Sequence, residues 1–203
     1  MVEFWNSLLT EKSWSILQEL KKEHDFILIG GWAVYLFTNK QKSKDIDIII
    51  SINELQKFKS QNLSKNDKLK KYEIKKGEID IDIYVEHYSK FAIPSEDMRG
   101  YTTKIQGYDV IIPEMLLILK QNAYNDRKNS IKGEKDLIDI MSLLFFSEID
   151  FKKYLDILKK YKIEDYYQAL RSMINSFKDY DKLEINPREF KLRKNKLLGR
   201  MLK

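Results

Sequence analysis

The chain has 203 residues, 33% of them charged, with 37 Lys plus Arg against 31 Asp plus Glu for a net charge of +6. This length, with 43% hydrophobic content, suffices for one sizeable domain or two small ones, and the basic excess allows a polyanionic partner such as a nucleotide or RNA. Cysteine is absent and His24 and His87 are the only histidines, which excludes disulfides and thiolate chemistry and leaves no basis for a histidine zinc site or a Ser-His-Asp triad. No apolar run approaches the ~18 residues of a membrane span. MVEFWNSLLTEKSW has no basic region leading into an apolar stretch, so the expected location is the cytoplasm, with no membrane association.

In chain order, Trp5, Leu8, Leu9, Ile16, Leu17 and Leu20 recur at helical spacing and predict an amphipathic helix over 5–22. FILIG (26–30) is a short continuous apolar run, hence a buried strand, broken by Gly30-Gly31. WAVYLFTN then has helical character, and DIDIII (45–50) is the next strand. Ser51 is a natural N-cap for a helix over INELQKFKS. The Lys/Asn/Ser-rich stretch 59–70 reads as an exposed connection. KYEIKKGEIDIDIYVEH predicts a hairpin turning near Lys76-Gly77, and TTKIQGYDVII a smaller one turning at Gln106-Gly107.

From Pro113, which suits a first helical turn, the pattern becomes all-helical. Helices are expected over EMLLILKQNAYNDRK and over 134–146, 150–161, 163–178 and 187–202. The expected organisation is therefore an α/β domain over 1–112 and a helical domain over 113–203 packed on it.

Two aspartates inside a run of isoleucines need a reason. On a strand, residues i and i+2 share a face, so Asp45 and Asp47 project together while Ile46, Ile48 and Ile50 point the other way. Aspartate is depleted in strands, and like charges side by side repel. The arrangement suits either a solvated face or a divalent cation. Asp80 and Asp82 repeat the pattern on the hairpin strand. If the two strands are neighbours, three or four carboxylates converge, an oxygen-rich set suited to Mg²⁺. Two such ions can activate an attacking oxygen and stabilise a leaving one in nucleotidyl transfer. Gly30-Gly31 supplies a complementary element, a glycine turn into a helix whose backbone N–H groups can approach phosphate. Taken singly, Gly-Gly is commonly a turn and Asp-x-Asp a wet strand face; their occurrence in order carries the argument.

The run Leu28-Ile29-Gly30-Gly31, then thirteen residues, then Asp45-Ile46-Asp47-Ile48 resembles the signature of the DNA polymerase β-type nucleotidyltransferase superfamily. The segment IIPEMLLILKQNAYNDRKNSIKGEKDLIDIMSLL is similar to the helical part of the nucleotidyltransferase toxins of abortive-infection-type toxin–antitoxin pairs. The resemblance covers roughly 26–146. It implies an α+β fold: a nucleotidyltransferase-type mixed β-sheet with flanking helices, followed by a C-terminal helical bundle.

It also implies a chemistry and a site. Asp45, Asp47 and a third carboxylate would hold two Mg²⁺ ions, with Mn²⁺ as a substitute; Asp82 is the first choice for the third and Asp80 the alternative. Gly30, Gly31 and Lys44, with Lys120, Arg127, Lys132 and Asp136, would contact the nucleotide. Gly31 stands where many members carry serine, so a hydroxyl contact to phosphate is absent. Read from the residues alone, Lys120 and Arg127 share a helix face with Tyr124 and suit a triphosphate or base, although an ordinary amphipathic helix would look the same. The expected activity moves an NMP from an NTP to an acceptor with release of pyrophosphate. The acceptor is an RNA 3′ end, a protein or a small molecule, and an antitoxin protein is an expected partner. The tail PREFKLRKNKLLGRMLK, with seven basic residues against one acidic, tilts the acceptor toward RNA, although a solvated final helix is the simpler reading. The alternative function is a catalytically silent nucleotide- or partner-binding member of the same fold.

Overall fold

A computed structural model describes residues 6–59 and 61–201. The chain divides into two compact units at the Ile112–Pro113 junction. The first opens with α1 (Ser7–Glu23), which starts where the Asn6 side chain caps the Leu8 N–H at 2.9 Å. Trp5, assigned to this helix from its spacing, lies outside the described residues. β1 (Ile27–Ile29) runs directly into α2 (Gly30–Thr38), and β2 (Ile46–Ile50) leads to α3 (Ile52–Phe58). Ser51 caps α3 as expected, its Oγ accepting from the Glu54 N–H at 3.2 Å.

The polar stretch 59–70 is not wholly a connection. It contains β3 (Ser64–Asn66), which pairs antiparallel with β4 (Lys71–Lys76). A short strand of exposed polar residues is what a sheet edge tolerates, and such a strand lacks apolar alternation. β4 and β5 (Ile79–Val85) form the predicted hairpin, with Gly77 in the turn at a φ of 65°. A 3₁₀ helix (Ser95–Tyr101), not anticipated, precedes the hairpin of β6 (Thr102–Ile105) and β7 (Tyr108–Ile111). Gln106 and Gly107 both have positive φ there, the backbone of a two-residue hairpin turn.

The seven strands form one mixed sheet in the order β3-β4-β5-β2-β1-β7-β6. β2 and β1 occupy the middle, where both faces are covered: Ile46, Ile48, Ile49 and Ile50 are fully buried, and so is Leu28. The core extends to α1 and α2, where the Trp32 indole N–H donates to Ser13 Oγ at 2.9 Å and Trp32 stacks at a tilt on Trp14.

The second unit consists of α4 (Pro113–Arg127), α5 (Ile131–Phe146), α6 (Phe151–Tyr161), α7 (Asp165–Ser176), a 3₁₀ turn (Tyr180–Leu183) and α8 (Pro187–Met201). α5 begins three residues earlier than expected because Ser130 caps it by accepting from the Gly133 N–H. Gly133 is required by close approach: a Cβ there would lie 2.1 Å from the Arg127 carbonyl oxygen. The fold is thus α+β, a seven-stranded mixed sheet with flanking helices followed by C-terminal helices. No described helix is long and apolar enough to cross a membrane.

Candidate active site

β2 is apolar and buried at every position except one. Asp47 is half-buried in a strand whose other four residues are isoleucines at zero exposure. Its neighbour on the parallel strand β5 is Asp82, in direct register. β5 alternates without a break, with Ile79, Ile81, Ile83 and Val85 buried and Asp80, Asp82 and Tyr84 half-buried between them. This period-two pattern places Asp82 on the same face as Asp47.

The register also separates the two candidates for a third carboxylate. Asp82 stands beside Asp47, whereas Asp80 stands opposite Lys75 of β4. Asp45 falls outside the strand to which the sequence pattern assigned it. With Lys44 it forms the half-buried bend just before β2. Among the described residues, no group of three or more His, Asp or Glu side chains is gathered so as to hold a metal ion.

The glycine turn meets the same aspartate. Gly30 has a φ of +67° and opens α2, whose N-cap residue Ile29 provides no side-chain hydrogen bond. Gly31 follows, buried in the first helical turn. A Cβ built on Gly30 would lie 2.0 Å from Asp47 Oδ2. The missing side chain is therefore the space that the Asp47 carboxylate fills, against the electropositive start of a helix.

The electrostatics of Asp82 follow from its surroundings. Burial, and then the charge of Asp47, push its carboxyl up to about 6 from an ordinary 3.8, against the lowering pull of a lysine. That lysine is Lys71 of β4, which sequence reasoning passed over. Its Nζ lies 2.6 Å from Asp82 Oδ2 and 3.1 Å from Glu73 Oε1. Burial opposes the Lys71 charge, but its bonds to Asp82 and Glu73 outweigh that and raise its pKa. The β4–β5 hairpin register could have revealed it: Glu73 pairs with Asp82, so Lys71 and Glu73 share the aspartate face.

The remaining expected nucleotide contacts lie in the second unit. Lys120 of α4 reaches Asp136 Oδ1 at 3.3 Å and Asp139 Oδ2 at 2.6 Å. Arg127 Nε donates to Asp136 Oδ2 at 2.8 Å, and Lys135 reaches Asp139 at 3.1 Å. Lys120, Arg127 and Asp136 are thus brought together, by ion pairing with one another. Burial alone would raise Asp139, yet Lys120 and Lys135 overcome it and hold the carboxyl below its ordinary value. Lys132 is exposed in the first turn of α5.

The basic tail is partly committed as well. Arg193 donates to the Phe145 carbonyl and Arg200 to the Ile149 carbonyl, both at 2.7 Å, and Lys194 to the Asn175 carbonyl at 2.8 Å. The first of these carbonyls belongs to the last turn of α5, where a cation is favoured. A separate cavity of about 550 Å³ opens beside Trp14, Trp32, Tyr35, Asn39 and Lys42, and none of the expected site residues lines it.

No protein-family model and no curated protein matches the sequence. Among solved structures, the chain is similar to an antigenic nucleotidyltransferase-like protein from Paracoccidioides brasiliensis. Identity there is 17%, with 80% of this chain and 92% of that one covered at a TM-score of 0.39. It is also similar to JHP933 from Helicobacter pylori, again at 17% identity, covering 96% of this chain and 92% of that one at a TM-score of 0.46.

Proposed function

We propose that this chain is a divalent-metal-dependent nucleotidyltransferase that moves an NMP from an NTP to an acceptor hydroxyl, in the manner of the toxin-like enzymes its motifs resemble. One observation carries the reading: Asp47 and Asp82 stand in register on adjacent parallel strands, with the Asp47 carboxylate set against the glycine start of α2. Two carboxylates that repel each other, one of them pushed to about 6 by burial and its neighbour, form an oxygen-only pair that a hard cation would relieve.

Asp47 and Asp82 would hold Mg²⁺, with Asp45 contributing from the bend before β2. When bound, the metal supplies charge stabilisation for the attacking and leaving oxygens. The acceptor oxygen forms its bond to the α-phosphorus as the α–β bridging bond breaks, and pyrophosphate departs with that bond's electrons. A carboxylate of the pair takes the hydroxyl proton. The N-terminus of α2, with Gly30 and Gly31, would face the leaving phosphates. Because Asp47 already lies against that helix end, its charge would repel a phosphate there, and a bound cation would be needed to offset both charges.

The test is incubation with each α-³²P-labelled NTP, Mg²⁺ and total cellular RNA and protein. Label entering one of these pools with the wild type, and not with Asp47→Asn, supports the reading and names the acceptor class. If no NTP transfers label but Mg²⁺-dependent nucleotide binding persists by calorimetry, the pools hold no acceptor or the chain is a silent binder. One observation favours the silent alternative: Lys71 Nζ lies 2.6 Å from Asp82 Oδ2, an oxygen that a metal would also need. If no nucleotide binds, both readings fall.

A further inference from the structure

The Lys71 side chain is 11% exposed, and its bonds to Asp82 and Glu73 enclose its charge between two strands. A cross-strand ion pair on a wet sheet face contributes little, and such pairs normally leave the lysine head in solvent. Here the ammonium is buried instead, and burying a charge is costly unless it is paired and hydrogen-bonded. Its partner Glu73 is itself held, accepting from Asn66 Nδ2 of β3 at 2.9 Å. A chain of contacts therefore runs from the sheet edge inward, from Asn66 to Glu73 to Lys71 to Asp82, and ends beside Asp47. Both named Lys71 distances run to a single oxygen, Oδ2 of Asp82 and Oε1 of Glu73.

We propose that Lys71 is a positioning residue of the metal site: a built-in cation that holds one oxygen of Asp82 and limits how much divalent charge the Asp47–Asp82 pair accepts. The inference rests on the metal-dependent reading above and adds to it a control on ion number. Asp45, Asp47, Glu73 and Asp82 together carry four negative charges, and Lys71 returns one. One divalent ion leaves a single negative charge of this balance, and a second would overshoot it. With Lys71 in place, the pair takes one ion tightly, and a second enters only with the negative charge of the nucleotide. Without Lys71 the same carboxylates offer an additional oxygen and an additional charge.

The experiment is a Mn²⁺ titration followed by the paramagnetic resonance signal of the free ion, at pH 8 and without nucleotide. It uses the full-length wild type and Lys71→Met, Lys71→Arg, Glu73→Gln and Asp47→Asn. Removing a unit positive charge a few ångströms from a bound cation should tighten Mn²⁺ binding by Lys71→Met about tenfold or more, with a further ion bound. Lys71→Arg keeps the charge and should stay within about threefold of the wild type. Glu73→Gln leaves Lys71 to bear on Asp82 alone and should weaken binding severalfold. Where Lys71→Met does not fold, Lys71→Gln, which can donate to Asp82 without a charge, carries the comparison.

A lysine that only joins the two strands would leave the number of ions bound unchanged when it is replaced. If the wild type binds Mn²⁺ and Asp47→Asn does not, while folded Lys71→Met binds as the wild type does or more weakly, the role of Lys71 is overturned and the metal site stands. If Lys71→Met binds Mn²⁺ where the wild type does not, the proposal is supported in its strongest form. Absence of binding by every variant overturns the metal site and this inference together.

Discussion

Gly30 and Asp47 occupy one space: the carboxylate Oδ2 of the aspartate sits 2.0 Å from where a Cβ of the glycine would be. The glycine serves the turn twice, through its φ of +67° and through the room it leaves. Gly30→Ala should cost about 1–3 kcal/mol for a strained left-handed alanine and a further ~1–3 kcal/mol for overpacking against Asp47. Adding Asp47→Ala to Gly30→Ala should recover the overpacking part and leave the backbone part. Denaturant melts of the two single variants and the double variant give the coupling. Strict additivity would show that the two residues do not compete for the same space.

Asp82 makes metal-free stability depend on pH. Its carboxyl is raised from 3.8 to about 6 in the folded state, so the fold binds this proton more tightly than the unfolded chain does. Its contribution is fully present below about 3.8 and is lost as pH rises through about 6, a difference of roughly 2–3 kcal/mol. In the presence of a chelator, the wild type should therefore lose stability relative to Asp82→Asn across that window. Melting temperatures measured every half pH unit test this, and parallel curves for the two proteins would contradict it. The cost of keeping Asp82 charged at neutral pH is what a functional group bears and a structural one sheds.

How much of this could be read beforehand depends on whether the signal was local. The aspartate pattern of β5 is strict alternation, and the turns at Gly77 and Gln106-Gly107 are local chemistry, so the two hairpins were legible. The Ser51 cap is three residues from the N–H it serves, and was legible too. β3 was not, because an edge strand of Ser, Lys and Asn has no buried face to leave a pattern. Asp45 lies one residue before β2, because the i, i+2 parity of the sequence continues past the point where strand hydrogen bonding begins. Lys71 is one lysine among many until the hairpin register is applied. Gly133 gave no warning either, since its cause is the carbonyl of Arg127 at the end of the preceding helix. Apart from β3 and the 3₁₀ helix at Ser95–Tyr101, what the sequence hid was relations between elements.

The basic tail separates into two groups of cations. Arg193 and Arg200 donate to the Phe145 and Ile149 carbonyls, whereas Lys191 and Lys196 are exposed on α8. Arg193→Ala should cost about 1.5–3 kcal/mol, the range for hydrogen bonds to a charged group. Lys191→Gln with Lys196→Gln should stay within about 0.5 kcal/mol of the wild type. The lysine pair, not the arginines, is then the part of the tail to test for RNA: its removal should reduce the salt dependence of RNA binding by about one unit per lysine. Thermal melts and salt titrations of the same variants check both halves. A destabilised lysine pair would mean that α8 uses all its charges structurally.

Lys120 ties α4 to α5 through Asp136 and Asp139. Asp139 is fully buried and lies within ion-pair distance of both Lys120 and Lys135, whereas the Arg127 side chain is 44% exposed where it pairs with Asp136. Breaking a buried pair from one side strands the opposite charge, so Asp139→Asn should cost about 3–5 kcal/mol. Arg127→Ala breaks a pair that solvent partly screens and leaves Asp136 with Lys120, so it should cost no more than about 1 kcal/mol. The order of the two variants in a denaturant melt is the check. If Arg127→Ala were the worse, Asp136 would depend on the guanidinium rather than on Lys120. If nucleotide binding fell in Arg127→Ala with stability intact, Arg127 would be the member of the network that reaches the substrate, and Lys120 and Asp139 the pair that holds α4 to α5.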